Sequence, residues 1–221
     1  MTQPIYVLVS DLHGMWYTLQ ALLAKVDEHL KGAPYQVICL GDLVDRGPYS
    51  RQVVEWAMAN KIPTAQGNHE HLCVDYHLNQ LAGKKSDYQE GIWLMNGGIK
   101  CLTSWTGKPF ERRSRLPRAA VAWMAALPLC IQLPEYPELC LSHTGHGLIT
   151  KDSQHTAFDA VWSRSTEFPK DGLTRVYGHT PIKRIDTSGD AICIDTGAAY
   201  GGRLSTLLWP SRHVIDQVAI D

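Results

Sequence analysis

The chain has 221 residues, with 21 basic and 22 acidic side chains and a formal net charge of -1 at pH 7. This length suits one globular domain with its own core, so we expect a single domain over residues 1–221. The near-neutral balance disfavours an extended basic surface, so we expect neither nucleic acid nor a membrane as a partner.

The N-terminal segment and the cysteines bear on the cellular compartment. Residues 1–10 lack the basic start and the small-residue cleavage site of a signal peptide, and no stretch has the length of a membrane span. The six cysteines include no Cys-x-x-Cys pair, and most of them lie in apolar runs. We interpret them as reduced core residues, and we expect a cytoplasmic protein that is a monomer.

The first half of the chain alternates between strand-like and helix-like segments. Residues 5–10 form a short β-branched run, and apolar residues at helical spacing follow it. Residues 36–40 predict a second strand, followed by a helix that Ser50 can cap. Residues 62–66 predict a third strand, and residues 69–81 predict a helix. The pattern therefore indicates repeated strand-helix units.

The middle and the second half differ from this pattern. Residues 84–127 predict a helical insert, in which an alanine-rich segment follows a cluster of basic side chains (Arg112, Arg113, Arg115 and Arg118). The remainder predicts short strands at residues 129–133, 139–142, 175–177, 191–195, 204–209 and 213–220. Together the two halves indicate an α/β fold with mixed sheets.

Polar side chains follow the predicted strands of the first half. Asp11 and His13 follow the first strand, Asp42 the second and Asn68 the third. Ligand sites of open α/β sheets lie at the carboxyl ends of strands, so we expect these side chains to meet. If the chain stays extended after the first strand, Asp11 and His13 point to the same side.

Two histidines of the second half also follow apolar β runs, namely His143 and His179. Oxygen and imidazole ligands without a thiolate suit Mn²⁺, Fe or Zn²⁺. A carboxylate such as Asp42 can bridge two ions roughly 4 Å apart, which is the arrangement used for in-line displacement at phosphorus. The spacing therefore predicts a site for two metal ions.

These residues belong to short blocks that recur in one order. The blocks are Asp11-Leu12-His13-Gly14, Gly41-Asp42 with Asp45-Arg46-Gly47, Gly67-Asn68-His69-Glu70, His143 and Gly178-His179. The pattern resembles the calcineurin-like metallophosphoesterases, and within them the serine/threonine phosphoprotein phosphatases. It extends from Asp11 to about Gly202. The resemblance implies an α/β sandwich of mixed sheets flanked by helices.

The resemblance also implies roles for individual residues. One metal would be held by Asp11, His13 and Asp42, and the other by Asp42, Asn68, His143 and His179. The resemblance further implies that His69 protonates the leaving oxygen, that Asp45 orients His69, and that Arg46 and Arg164 bind phosphate.

The implied activity is hydrolysis of phosphoserine and phosphothreonine in proteins by direct attack of a metal-bridging hydroxide. Phosphotyrosine stays open as a further substrate. The implied cofactors are two divalent ions, with Mn²⁺ expected first and Fe or Zn²⁺ as alternatives, and the implied partner is a phosphoprotein or phosphopeptide.

Two positions depart from the family pattern. His143 is followed by Thr144-Gly145-His146-Gly147-Leu148, whereas the family phosphatases often have Gly-Gly-Leu there, so the role of His146 stays open. Tyr200 resembles a tyrosine that borders the site in relatives. The other histidines have an ordinary interpretation, and we interpret His29, His77, His155 and His213 as solvated positions.

Two alternatives remain open. The first is an enzyme of the same fold that cleaves dinucleoside tetraphosphates. As the resemblance goes, that enzyme tends to lack a carboxylate at the Asp45 position and to have aspartate in place of Glu70, so both residues favour the protein phosphatase. The second is a scaffold or binding module without metal, against which the intact candidate ligands argue.

Overall fold

The computed structural model describes residues 3–83, 87–111, 114–148 and 156–221. Arg112, Arg113 and His155 lie outside these ranges. The strands are β1 Ile5–Val9, β2 Tyr35–Cys39, β3 Cys130–Leu133, β4 Tyr136–Ser142, β5 Thr174–Tyr177, β6 Ala191–Cys193, β7 Arg203–Trp209 and β8 His213–Val218.

The strands of the described residues form two mixed sheets. The first has the order β2-β1-β7-β8 and the second the order β3-β4-β5-β6. β1 pairs in parallel with β2, and β4 pairs in parallel with β5, while the pairs β1 with β7, β7 with β8 and β3 with β4 are antiparallel. Each sheet therefore brings carboxyl ends of parallel strands to one edge.

The side chains of β1 alternate between two apolar cores. Val7 and Val9 pack in the core that contains the helices, whereas Tyr6 and Leu8 pack in the core shared with Leu141 of the second sheet. This alternation follows from the period of two along a strand. Truncating the fully buried Leu8 to alanine is expected to cost about 2–5 kcal/mol. The predicted α/β sandwich flanked by helices is confirmed.

The helices are α1 Trp16–Leu30, α2 Ser50–Ala59, α3 Asn68–Leu81, α4 Asp87–Trp93, α5 Ile99–Thr106, α6 Arg118–Ala125 and α7 Asp159–Trp162. Of these, α4, α5 and α6 lie within the range of the predicted helical insert. A π-helical turn, Leu94–Gly98, joins α4 to α5. None of the helices in the described ranges combines the length and the apolar character that a membrane span needs.

Two local predictions were wrong. Residues 62–66 do not form a strand, because Thr64 makes only an isolated bridge to Cys39 and Pro63 has no N–H to extend the ladder. Ser50 is not the N-cap of α2, because it is the first residue of the helix and Tyr49 occupies the cap position. The Ser50 hydroxyl instead accepts the backbone N–H of Asp45 at 3.0 Å, so it stabilises the loop that precedes the helix.

Candidate metal centre and active site

The strand ends of both sheets deliver polar side chains to one buried cluster. Asp11 and His13 follow β1, Asp42 follows β2, and β4 and β5 are followed by His143 and His179. Asn68 is the first residue of α3. All six side chains are buried. The structure therefore brings together every residue that the sequence proposed as a metal ligand.

One group of donors surrounds His13. The Nε2 atom of His13 lies 3.5 Å from Asp42 Oδ2 and 4.0 Å from Asp11 Oδ1. The Nδ1 atom of His13 lies 2.8 Å from the carbonyl oxygen of Val44. Because a carbonyl only accepts, Nδ1 carries the proton and the Nε2 lone pair faces the two carboxylates.

A second group of donors surrounds His143, whose Nδ1 also lies against a backbone carbonyl. Its Nδ1 donates to the carbonyl of Leu40 at 2.9 Å, which leaves a lone pair on Nε2. That Nε2 lies 3.0 Å from Asn68 Oδ1, 3.1 Å from His179 Nδ1 and 3.5 Å from Asp42 Oδ1. Asp42 thus directs one oxygen to each group.

The two groups fit metal ions. Burial lowers the pKa of His13 and of His143 well below the ordinary value, so both imidazoles are neutral electron-pair donors. Burial also raises the pKa of Asp11 and of Asp42 well above the ordinary value, and Asp195 adds a further negative charge beside Asp11. Lone pairs and carboxylates that converge in this way are stabilised by cations between them.

His69 lies beside the first group and contacts Asp45. Its Nε2 is 3.9 Å from Asp42 Oδ2, and its Nδ1 is 2.7 Å from Asp45 Oδ2, with both side chains buried. Burial and the positive charge of Arg46 lower the pKa of His69 to about 3. The indole Nε1–H of Trp93 donates to the same Asp45 oxygen at 2.9 Å.

The two arginines that were predicted to bind phosphate differ in their distance from the cluster. Arg46 Nη1 donates to His13 Nε2 at 2.5 Å, and its guanidinium lies 5.0 Å from the centroid of the Tyr200 ring. Arg164 is exposed and makes no ion pair within the described residues. Burial of His179 and, second to it, the positive charge of Arg164 lower the pKa of His179 to about 4. Both cations therefore act on the cluster, and Arg46 touches it.

The backbone around the cluster is left-handed at most of its key residues. In the described ranges, six of the nine non-glycine residues with positive φ are Asp11, His13, Asp42, Asp45, Arg46 and His179. The condition that the chain stays extended from Asp11 to His13 is not met, since their φ values are 53° and 42°. Such conformations persist only where the surroundings enforce them, and they concentrate at functional sites.

Glu70 fixes the loop that carries Asp42. Its carboxylate accepts the backbone N–H groups of Asp42 at 2.8 Å, Leu43 at 2.7 Å and Gly67 at 2.9 Å. A Cβ at Gly67 would collide with Asp42 Oδ1, so only glycine permits this approach. The sequence showed the Gly-Asn-His-Glu block, but the contacts of Glu70 depend on the fold.

Two further histidines lie outside the cluster, and both are buried and hydrogen-bonded. His146 is buried, with its Nε2 3.1 Å from the carbonyl of Ser165 and its ring beside Phe168. His77 is buried as well, and its Nε2 accepts the N–H of Leu116 at 3.0 Å. The interpretation of His77 as a solvated position was wrong, because this hydrogen bond ties α3 to the segment before α6.

Trp93 and Asp195 are the residues of this site that the sequence analysis missed. The tryptophan lies at the end of a helix in the insert, and no motif connects it with Asp45. Asp195 ends the run that follows β6 and lies close enough to Asp11 to raise the pKa of that carboxyl. The only available signal was its position after a strand.

Fold and site together define a class of protein, an α/β sandwich with buried carboxylate and imidazole groups that could hold metal ions. In the described residues these groups are His13, Asp42 and His69, and Asp42, His143 and His179. The chain belongs to the calcineurin-like phosphoesterases, which it matches over residues 6–202. Members of this family bind a binuclear metal centre.

Relatives of two kinds match the chain. The chain is 28% identical to serine/threonine-protein phosphatase 1 of Salmonella typhimurium, over 89% of this chain and 88% of that protein. It is 23% identical to the asymmetrical bis(5'-nucleosyl)-tetraphosphatase PrpE of Anoxybacillus flavithermus, over 96% and 93%. The match to the Salmonella phosphatase supports a relationship to the phosphoprotein phosphatases. Because the two identities are similar, they do not determine the substrate.

Solved structures support the fold. A crystal structure of a candidate diadenosine tetraphosphatase superposes with a TM-score of 0.70 at 20% identity, covering 99% of this chain and 95% of the other. A cold-active protein-tyrosine phosphatase of a Shewanella species superposes with a TM-score of 0.61 at 16% identity, covering 99% and 78%. At these identities the likeness shows the common sandwich.

Proposed function

We propose that this chain is a two-metal phosphomonoesterase that hydrolyses phosphoserine and phosphothreonine in proteins, with Mn²⁺ as its working ion. The observation that carries the proposal is the buried contact of 2.7 Å between His69 Nδ1 and Asp45 Oδ2. A serine or threonine alkoxide is a poor leaving group and needs a proton in the transition state. A nucleotide leaving from a phosphoanhydride is far less basic and needs this proton less.

The ligand roles follow the two groups of donors. Asp11 and His13 would hold one ion, Asn68, His143 and His179 the other, and Asp42 both. Two divalent ions held there would supply Lewis-acid charge for the phosphoryl group and would lower the pKa of a water nucleophile. The net positive charge would attract a phosphate dianion to a chain that has little net charge of its own.

His69 delivers the proton to the leaving oxygen in this proposal. Asp45 accepts the Nδ1–H of His69, so Nε2 is the nitrogen directed toward Asp42 and the phosphate. In the chain alone, burial and Arg46 disfavour a second proton on this ring. A bound phosphate dianion has the opposite effect, because a nearby negative charge favours the protonated imidazole. Substrate binding therefore prepares the acid.

Arg46 and Arg164 hold the phosphate oxygens that the metals leave free. A guanidinium is permanently charged and can donate to two oxygens at once, which suits a phosphomonoester. Arg46 already points at His13 Nε2, on the edge of the cluster. Arg164 reaches the site from the segment after α7, where its side chain is exposed and free to approach a ligand.

A dinucleoside tetraphosphatase is the second candidate. A surface groove of roughly 500 Å³ lies beside Arg46 and is lined by Met95, Ile99 and Tyr200, among others. These side chains are exposed, and Tyr200 lies under the Arg46 guanidinium. An aromatic ring at this place offers a nucleobase a surface on which to stack, so the groove favours this alternative.

A side-by-side assay separates the candidates. The purified protein with Mn²⁺ is tested on phosphoserine, phosphothreonine and phosphotyrosine peptides and on diadenosine tetraphosphate, with Asp42→Asn as the control for contaminating activity. We expect the highest kcat/KM on a phosphoserine or phosphothreonine peptide. A higher kcat/KM on diadenosine tetraphosphate than on every peptide overturns the protein phosphatase. No turnover of any substrate favours a scaffold.

A further inference from the structure

Trp93 contacts Asp45 of the proposed His69–Asp45 pair, although it lies outside every sequence block that carries the family resemblance. It is the last residue of α4, and its side chain is fully buried. Its indole Nε1–H donates to Asp45 Oδ2 at 2.9 Å across 48 positions of sequence. Since the indole nitrogen can only donate, the polarity of this hydrogen bond is fixed.

The indole and His69 share one carboxylate oxygen. Asp45 Oδ2 lies 2.7 Å from His69 Nδ1 and 2.9 Å from Trp93 Nε1. An aspartate side chain rotates about two torsions, so a single hydrogen bond leaves its carboxylate free to turn. A second donor from a different helix restricts that rotation and helps to hold the oxygen that orients the imidazole of His69.

Packing holds the indole itself in place. Its ring lies 4.5 Å from the ring centroid of Tyr76 and 5.7 Å from that of His77, both on α3. On the other side, a Cβ at Gly98 would come within 2.6 Å of the indole. The ring is therefore confined between α3 and the π-helical turn. This packing keeps its N–H directed at Asp45.

The π-helical turn also packs against the loop after β2 that carries Asp45 and Arg46. Gly97 has φ of 112°, and a Cβ there would collide with the backbone nitrogen of Arg46 and approach Asp45 Cβ to 3.1 Å. Glycine is needed for both reasons. The segment from Trp93 to Gly98 thus contacts the side chain of Asp45 and the backbone of Arg46.

We propose that Trp93 is a positioning residue for proton delivery, which fixes the Asp45 carboxylate so that His69 presents its Nε2 to the leaving oxygen. The inference rests on the proposed function, because the acid role of His69 defines what is positioned. Removing the hydrogen-bond partners that orient metal ligands costs roughly 10- to 100-fold in activity, and we expect a loss of the same order when the Trp93 N–H is removed. The helical insert then contributes to catalysis indirectly, through one indole N–H that holds Asp45.

The test uses Trp93→Phe, which retains an aromatic ring and removes the N–H. Trp105→Phe is the matched control, since Trp105 lies in α5 of the same insert and its buried Nε1 has no hydrogen-bond partner in the described part of the chain. Both variants of the 221-residue chain are loaded with Mn²⁺ and assayed on a phosphoserine peptide and on 4-nitrophenyl phosphate. Metal content and thermal unfolding are measured alongside.

For Trp93→Phe we expect kcat on the peptide to fall by roughly 10-fold or more, with KM and metal content close to those of the parent. The loss on 4-nitrophenyl phosphate should be smaller, because its phenolate leaves with little protonation. Trp105→Phe should match the parent on both substrates. In an Asp45→Asn background, Trp93→Phe should have little further effect, which separates positioning from a general loss of stability.

Equal losses of Trp93→Phe on both substrates, or a change in KM alone, overturn the inference. So does a full additional loss in the Asp45→Asn background. The parallel variant His69→Asn distinguishes the two levels of the proposal. If only His69→Asn shows the leaving-group effect, Trp93 has no positioning role and the proposed function stands. If His69→Asn lacks the effect as well, the acid role itself fails.

Discussion

Glu70 Oε2 accepts the backbone N–H of Asp42 at 2.8 Å, so the residue whose carboxylate is proposed to bridge two metals is held at its backbone by a second carboxylate. Glu70 is buried and lies on α3, one residue after His69. One side chain thereby connects the loop after β2 with the start of the helix that carries Asn68 and His69.

Glu70→Gln should destabilise the protein and weaken metal binding. The amide keeps the shape of the side chain but replaces one of the two accepting oxygens with a donor, which faces backbone N–H groups. We expect the free energy of unfolding to fall by about 1–3 kcal/mol. Glu28→Gln, at an exposed position of α1, is the control. Unfolding in denaturant measures both, and equal stabilities would contradict the proposed role of Glu70.

Asp42→Asn should remove metal from both groups at once. The substitution takes away the negative charge of the side chain that directs Oδ1 to His143 and Oδ2 to His13. Elemental analysis after desalting and the rise of Tm on adding Mn²⁺ report binding. His71→Gln is the matched control, because His71 lies on α3 near the site and pairs instead with Asp75 at 3.5 Å. Two tightly retained ions in Asp42→Asn would show that the proposed ligand set is wrong.

His69→Asn should retain metal and lose rate according to the leaving group. On phosphoserine peptides we expect a loss on the order of 10²- to 10⁴-fold, since an alkoxide depends on the proton. An aryl phosphate with an acidic phenol should lose less. The ratio of kcat between the two substrates is the measurement, and an unchanged ratio would exclude general acid catalysis by His69.

Arg46→Ala should raise KM and lower kcat together. Its guanidinium is proposed to bind the phosphate in the ground state and to bind it more strongly as charge develops, so we expect kcat/KM to fall by roughly 100-fold or more. Arg51→Ala is the control, because Arg51 is exposed and pairs with Glu55 within α2. Arg164→Ala should act in the same direction with a smaller loss. A change confined to KM for Arg46→Ala would show that it contributes only uniform binding.

The sequence by itself predicted which side chains converge. Asp11, Asp42 and His143 each follow a short apolar run, and the carboxyl ends of such strands meet in any α/β sheet, so chain order predicted that they converge. The sandwich was predictable for a similar reason, because the alternation of apolar side chains along a strand determines which faces are buried. Strand ends and apolar alternation are local features of the sequence, so they can be recognised without knowing how the layers pack.

Only the tertiary structure decided how the site is held. The Trp93 indole reaches Asp45 because α4 packs on α3, and Glu70 reaches three backbone N–H groups because α3 begins beside the loop after β2. His77 is buried because α4 packs on α3, although its sequence context suggested a solvent-exposed position. The left-handed backbone at Asp11 and His13 likewise has no local signature in non-glycine residues. Such contacts join residues far apart in sequence, and neither propensity nor periodicity encodes the packing that makes them.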